Sequence, residues 1–166
     1  MKDIQIRQMH TGDEKIAAYI TIEAWRESFV NILSKEKLYA LTETQQVEEN
    51  FEHALREGTC KGEIMLINHK PHCIALWDET REKDMPGYAE LICFHSLGNN
   101  WGKGYGSRMM VHILEEIAKA GYHQVMLWVF EENTRARKFY EKHGFILSDK
   151  RKTFAEATEV MYYRKL

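Results

Sequence analysis

The chain has 166 residues, 44% hydrophobic and 11% aromatic, which is enough for one sizeable core and short for two ordinary domains. Its 23 basic and 25 acidic side chains leave a net charge of −2, which excludes a whole-chain electrostatic attraction to nucleic acid or to an anionic membrane. The sequence has no run of 18 apolar residues, no signal-peptide core and an odd number of cysteines. We therefore expect residues 1–166 to form one domain with reduced thiols in the cytoplasm.

The N-terminal third is predicted to be one strand followed by three helices. Residues 1–7 alternate polar and apolar side chains, as a strand does. Helix starts are predicted at residues 11–14, at Ser34 and at Thr42, and Gly58 should end the third helix. Apolar residues recur at helical spacing in the first and third helices, which gives each a face for packing.

A hairpin and a third strand are predicted next. Residues 63–67 and 73–77 have strand composition and flank a turn at residues 68–71. A charged loop is expected at residues 78–86, and residues 88–96 form the following strand. If that strand is regular, Leu91, Cys93 and His95 lie on one face and Glu90, Ile92 and Phe94 on the other, unless a bulge redirects His95.

The C-terminal half alternates helices and strands. Residues 104–120 carry an apolar stripe at helical spacing, and the apolar run at residues 125–130 is typical of a buried parallel strand that follows a strand and a helix. A short helix is predicted at residues 134–143, and two last strands at residues 145–150 and 159–163. The pattern predicts one mixed α/β unit.

A metal site was considered at Cys60, His69, His72 and Cys73, because thiolate and imidazole are the usual zinc ligands. Their spacing does not match the paired C-x₂₋₄-C and H-x₃₋₅-H pattern, and they straddle the predicted hairpin turn. We predict no metal site.

The segment before the long helix has three alternate glycines, Gly102, Gly104 and Gly106. Glycines lack the Cβ that would block close approach by a ligand, and the first amides of a helix have no internal partner and attract anions. Lys103 and Arg108 add positive charge. The spacing is neither that of a P-loop nor that of a Rossmann fingerprint. The alternative is a tight turn that only lets the helix pack closely on the sheet.

Two motifs in this chain resemble those of the GNAT superfamily of acetyl-CoA-dependent N-acetyltransferases. The segment 101–106 is similar to the family's motif A, [RQ]-x-x-G-x-[GA], at Gly104 and Gly106, with Trp101 where the family usually has Arg or Gln. Residues 133–145 resemble motif B, N-x-x-A-x-x-[FL]-Y-x-x-x-G-F, at every written position. Residues 89–97 look like the family's fourth strand, which lines the channel for the acyl-pantetheine arm.

The resemblance implies a mixed α/β (α+β) fold. Its central twisted sheet should have about six to seven mostly antiparallel strands flanked by helices, with a splayed parallel pair at the cofactor site. It also implies acetyl-CoA as co-substrate, with the pyrophosphate over the amides of residues 102–107. The implied cofactor-binding residues are Phe94, His95, Ser96, Trp101, Gly102, Lys103, Gly104, Tyr105, Gly106, Ser107, Asn133 and Tyr140.

The resemblance further implies two catalytic residues. An alkyl amine with a pKa near 10.4 is neutral only about once in 2,500 molecules at pH 7, so a base or a water chain to one must help. Glu90 matches a position where some members carry their catalytic glutamate, and partial burial is expected to raise its pKa. A surface or ion-paired glutamate is the alternative, and His95 ranks below Glu90 as base. Tyr140 matches the family's general acid, with a core tyrosine as the alternative.

The function expected from these features is acetyl transfer to a primary amine by direct attack in a ternary complex. A small molecule is the expected acceptor, and a peptide or protein amine stays open, as does a homodimer. The acceptor cleft is implied at residues 25–33, 78–87 and 151–157. The alternative is a regulatory or sensor module of the same fold that binds CoA without catalysis.

Overall fold

The computed structural model describes residues 2–166, which form seven strands and five helices. The strands are β1 (Ile4–Gln8), β2 (Lys61–Ile67), β3 (Lys70–Glu79), β4 (Ala89–Ser96), β5 (Gln124–Phe130), β6 (Ile146–Phe154) and β7 (Ala157–Lys165). The helices are α1 (Glu14–Ser28), α2 (Lys35–Leu41), α3 (Thr44–Glu57), α4 (Tyr105–Lys119) and α5 (Thr134–Lys142).

The strands form one sheet in the order β1-β2-β3-β4-β5-β7-β6. Every neighbouring pair is antiparallel except β4 and β5, which are parallel and joined through α4. These two strands keep register only at Ala89 with Val125 and at Glu90 with Met126, so they separate towards their C-terminal ends. The predicted mixed fold, with a mostly antiparallel sheet and a splayed parallel pair, is confirmed.

Helices cover both faces of the sheet. One face packs against α4, whose apolar stripe is fully buried, and against Tyr140 of α5. The opposite face packs against Ala17, Ala18 and Ile20 of α1 and against Phe51 of α3. The sheet is therefore the middle of three layers, and the gap between β4 and β5 connects its two faces.

Strand β4 is irregular at Ile92. Leu76 of β3 pairs with Cys93 and Trp77 pairs with Leu91, so Ile92 is an extra residue with no partner. Leu91 packs on the α4 side, whereas Cys93 packs on the α1 side. The regular alternation that placed Leu91 and Cys93 on one face is therefore wrong, because a bulge shifts the alternation by one residue.

Four predicted boundaries are also wrong. The third helix begins at Thr44, since Thr42 ends α2 by donating to the Leu38 carbonyl and Glu43 caps the amides of residues 45 and 46. The hairpin turn consists of Asn68 and His69, both with positive φ, and Pro71 already lies in β3. The strands β3 and β6 extend past their predicted ends at residues 77 and 150, because each keeps pairing with its antiparallel neighbour.

Candidate functional site

A cavity of about 460 Å³ lies where β4 and β5 separate. Its lining side chains come from both faces of the sheet. We call the part formed by Trp101, Gly102, residues 104–107, Asn133 and Tyr140 the glycine end. The part formed by Trp25, Phe29, Phe130, Phe154 and Glu159 is the aromatic end.

The glycine end is a row of backbone amides without protein partners. Gly102 and Gly104 have φ values of +75° and +84°, and a Cβ added to either would meet no atom within 4 Å. The first hydrogen bond of α4 runs from the Arg108 amide to the Gly104 carbonyl, and no side chain caps the helix. Within residues 2–166, the amides of residues 102–107 have no acceptor. Free amides at the positive end of a helix dipole favour an anion, and five of these six residues line the cavity.

Trp101 has an arginine from another helix stacked on it. The Arg135 guanidinium of α5 lies 3.4 Å from the centre of the Trp101 ring, and its Nη2 donates to the Ser28 hydroxyl at 3.1 Å. The Trp101 indole donates in turn to the Ser96 hydroxyl at 3.0 Å. Burial lowers the pKa of Arg135, although Glu27 and Tyr140 oppose that shift. The stack therefore holds a positive charge beside the row of amides, and no local pattern in the sequence predicts this contact between residues 101 and 135.

Lys103 is the one residue of the segment 101–107 that does not line the cavity. Its ammonium donates to the Asn99 carbonyl and to the Asn100 side chain, both at 3.0 Å. These bonds hold the ammonium against its own loop. The expectation that Lys103 contacts the cofactor therefore lacks support from its position.

Asn133 and Tyr140 both reach the cavity from α5. The Asn133 side chain accepts from the Ala136 amide at 3.3 Å, so it caps the helix as well as lining the cavity. Tyr140 is buried, and this burial raises the pKa of its hydroxyl, with the nearby Cys93 and Cys73 adding to the shift. No hydrogen bond to that hydroxyl comes from any residue that the structure describes. A protonated hydroxyl is thus available to a ligand.

His95 lies on the α1 side of the sheet and lines the cavity. Its Nε2 is 3.1 Å from the indole nitrogen of Trp25, which can only donate, so Nε2 accepts and the neutral ring carries its proton on Nδ1. Burial lowers the pKa of His95 to about 4, against a smaller opposing effect of a backbone hydrogen bond at Phe94. The ring is therefore neutral at pH 7, and its free electron pair is occupied by Trp25.

Glu90 is the residue whose predicted role differs most from its position in the structure. It does not line the cavity, and its side chain is 3% exposed. Both carboxylate oxygens accept from Arg81, at 2.6 Å from Nη2 and at 3.1 Å from Nε and from the backbone amide. Burial favours the neutral acid, but these bonds and the Arg81 charge outweigh it and lower the pKa of Glu90. The expected raised pKa is wrong, because the loop after β3 places a guanidinium on the carboxylate.

The aromatic end contains residues that the sequence did not single out. Trp25 and Phe154 fall within the implied acceptor segments, but the sequence pattern indicates Phe130 only as part of a buried strand and Glu159 only as a strand residue. Burial raises the pKa of Glu159, the Glu90 charge adds to this effect, and Lys152 and Arg81 oppose it. A period-2 pattern marks such residues as strand residues and does not show that they border a gap in the sheet.

Neither a metal-binding cluster nor a membrane-spanning helix is present in the part of the chain that the structure describes. Residues 2–166 contain no group of three or more His, Cys, Asp or Glu side chains arranged to hold a metal ion. Over the same residues, no helix combines the length and the apolar composition that a membrane span requires.

Comparison with known proteins gives a consistent result. The model of the acetyltransferase (GNAT) family matches residues 18–145. A Mycobacterium tuberculosis protein described as a probable N-acetyltransferase is 25% identical over 144 residues, which cover 86% of this chain and 80% of that protein.

Two solved structures show the same fold. The PaiA N-acetyltransferase of Thermoplasma acidophilum, solved in complex with coenzyme A, superposes with a TM-score of 0.84 at 16% identity, covering 99% of each chain. The ribosomal-protein-alanine N-acetyltransferase of Brucella melitensis gives a TM-score of 0.75 at 15% identity, covering 98% of this chain and 99% of that one. With the family model spanning most of its length, the chain belongs to the GNAT family and is an acetyl-CoA-dependent N-acetyltransferase.

Proposed function

We propose that this protein, acting as a single domain over residues 1–166, transfers the acetyl group of acetyl-CoA to a primary amine of a small molecule in a ternary complex. The observation that carries the proposal is a cavity with two unlike ends, one lined by free amides and the other by aromatic rings and a carboxylate. Because the lining comes from both faces of the sheet, donor and acceptor can enter from opposite sides and meet between β4 and β5. This geometry favours direct transfer.

The residues at the glycine end fit the donor. The amides of residues 102–107 would hold the pyrophosphate, and Arg135 on Trp101 would add positive charge beside it. Phe94, Ser96 and Asn133, which line the gap, would contact the pantetheine arm. Acetyl-CoA supplies an acetyl thioester, whose carbon–sulfur bond breaks as the amine nitrogen forms a bond to the acetyl carbon.

We assign the proton that the leaving sulfur takes up to Tyr140. Its hydroxyl lines the cavity, and burial keeps it protonated well above neutral pH. A group that donates a proton as charge develops on sulfur acts mainly in the transition state. The hydroxyl is therefore placed to act on turnover more than on binding.

The amine must also lose a proton, and neither residue expected for this step offers the cavity a free electron pair. Glu90 is bound to Arg81 outside the cavity, and the Nε2 of His95 accepts from Trp25. We therefore give Glu90 the role of holding Arg81 and its loop against the sheet. The amine proton then passes to water or to Glu159, a carboxylate in the cavity lining.

The test is an assay of thiol release from acetyl-CoA with separate sets of monoamines, polyamines, amino acids, aminoglycosides and short peptides. Release above the rate without amine, with a small amine preferred, supports the proposal. A preference for peptides would move the acceptor to proteins. Binding of acetyl-CoA without release in any set would support the sensor alternative.

All three cysteines are free, which suits the reducing cytoplasm in which we place the reaction.

A further inference from the structure

Four aromatic side chains at the aromatic end contact one another in a closed ring. Trp25 packs on Phe29 with ring centres 5.2 Å apart, and Phe29 packs on Phe130 at 4.9 Å. Phe154 completes the ring, at 6.1 Å from Phe130 and 6.3 Å from Trp25. We call these four residues the aromatic wall. They come from α1 and the residue that follows it, from β5 and from β6, and all four border the cavity.

The wall is only partly needed for the core. Phe29 and Phe130 are buried with Leu33 and Leu38, whereas Phe154 is 39% exposed at the end of β6. Ligand pockets are lined mainly by apolar and aromatic side chains, and Phe154 is a partly exposed ring in the lining of this cavity. The wall therefore offers apolar contact area to whatever occupies this end.

The carboxylate of Glu159 adjoins the wall. Glu159 of β7 lies directly opposite Phe130 of β5, so their side chains share a face of the sheet. Among the cavity-lining residues that the structure describes, Glu159 is the one carboxylate, and the lining contains no aspartate. Burial raises its pKa, so pairing with a cation would relieve a real desolvation cost.

Lys152 places an ammonium group of the protein itself beside Glu159 and Trp128. The Lys152 ammonium lies 4.2 Å from the centre of the Trp128 ring, 3.8 Å from the Glu159 carboxylate and 3.7 Å from that of Glu82. Its side chain is 40% exposed, and neither distance is that of a hydrogen bond. The surroundings of Glu159 thus accommodate an ammonium group beside the Trp128 ring. The Glu159 oxygens can still accept a hydrogen bond from a second ammonium group.

We propose that the aromatic end selects a monoamine with an apolar body, aryl or alkyl, whose ammonium group pairs with Glu159 while the body packs on the aromatic wall. This proposal rests on the proposed function, since it names the acceptor class of the same site. A polyamine would bring further ammonium groups into a lining with one carboxylate. No ionic partner there would offset the free-energy cost of removing water from these groups. An α-amino acid would bring its own carboxylate next to Glu159, which repels it.

Binding is measured first, because it does not depend on turnover. Calorimetric titration of the protein saturated with CoA uses phenethylamine, phenylalanine and spermidine as probes. Phenylalanine differs from phenethylamine only by its carboxylate. We expect phenethylamine to bind at least about tenfold more tightly than either of the others, as one charge-assisted contact provides. Equal or tighter binding of spermidine or phenylalanine would overturn the proposal.

Variants then locate the effect. Glu159→Gln should raise the Kd for phenethylamine about tenfold or more, and it should leave the Kd for CoA unchanged. It should also reduce the difference in affinity between phenethylamine and phenylalanine. The matched control is Asp149→Asn, which removes an exposed carboxylate of β6 outside the cavity and should leave the binding of all three probes unchanged. A Glu159→Gln protein that folds and binds phenethylamine like the parent would refute the role of Glu159.

The two proposals fail in different ways. If phenethylamine binds through Glu159 but no amine releases thiol from acetyl-CoA, the proposed function is wrong and the binding preference stands. If amines release thiol but the order of preference is reversed, the proposed function stands and the acceptor class is wrong. If short peptides are acetylated faster than all three probe amines, the proposal of a monoamine acceptor is likewise wrong.

Discussion

Replacement of Gly104 by Val tests the row of amides at the glycine end. Gly104 has a φ of +84°, a conformation that costs a non-glycine residue roughly 1–2 kcal/mol, and more for a β-branched one. Its Cβ would meet no protein atom within 4 Å, so strain in the backbone is the cost to the free protein. That cost should lower the Tm by roughly 2–4 °C per kcal/mol. The added side chain would stand in the space that a phosphate must enter.

The loss of affinity can be worked out from the hydrogen bonds. A bond from an amide to a charged group contributes about 1.5–3 kcal/mol, so losing even one should raise the Kd for acetyl-CoA roughly 10- to 150-fold. Calorimetric titration measures the Kd, and a thermal melt measures the stability of the same sample. We expect a rise at the upper end of this range or beyond, because the side chain keeps the phosphate from several amides at once.

The same helix supplies the matched control. Gly121 lies just past the end of α4, has a φ of +95° and also has open space around its missing Cβ. Gly121→Val should therefore cost a similar amount of stability and leave acetyl-CoA affinity unchanged. If the Gly104 variant is folded and binds acetyl-CoA as tightly as the Gly121 variant, these amides do not hold the pyrophosphate.

Three further predictions concern single side chains. Tyr140→Phe should lower kcat about 10²-fold while changing the Kd for acetyl-CoA little, and an unchanged kcat under conditions where chemistry is rate-limiting would make Tyr140 a core residue. Glu90→Gln should lower the Tm at pH 7, and because the folded pKa is lowered, this deficit should shrink as the pH falls below about 4.3; a deficit independent of pH would contradict the Arg81 pairing. His95 has a folded pKa of about 4 against roughly 6.5 unfolded, so the parent should lose stability as the pH falls from about 6.5 to 4, and His95→Gln should lose less over that range in parallel urea melts.

The sequence was most informative where the signal is local. The stripe Met109, Met110, Ile113, Leu114 and Ile117 follows a helical period and fixes both the length of α4 and the side that it buries. The alternate glycines predict an open helix start, because their effect depends on their own backbone and on few neighbours. The strand, helix and buried strand that follow one another predict the parallel pair.

The electrostatics of the site could not be predicted from the sequence, because they depend on distant partners. His95 pairs with Trp25, which is 70 residues away, and no spacing rule links a helix residue to a strand residue at that separation. Arg81 reaches Glu90 only because the loop after β3 folds back over the sheet. Glu159 borders the cavity because β5 and β7 are neighbours, which is a matter of sheet order. Each of these contacts decides a pKa that the motifs leave open.

The bulge at Ile92 determines where β4 can lose a residue without exchanging the side chains on its two faces. Because of this extra residue, Glu90 and His95 both face the α1 side although they are five positions apart, a separation that places two side chains on opposite faces of a regular strand. Deleting Ile92 would restore an unbroken ladder to β3 and would leave Phe94 and His95 on the sides that they face now, because Leu91 and Cys93 would keep their partners in β3. The cavity would lose the Ile92 side chain and keep the rest of its lining on both sides of the gap. A single insertion in a regular part of β4 would instead turn one half of the strand over, unless a further bulge absorbed it.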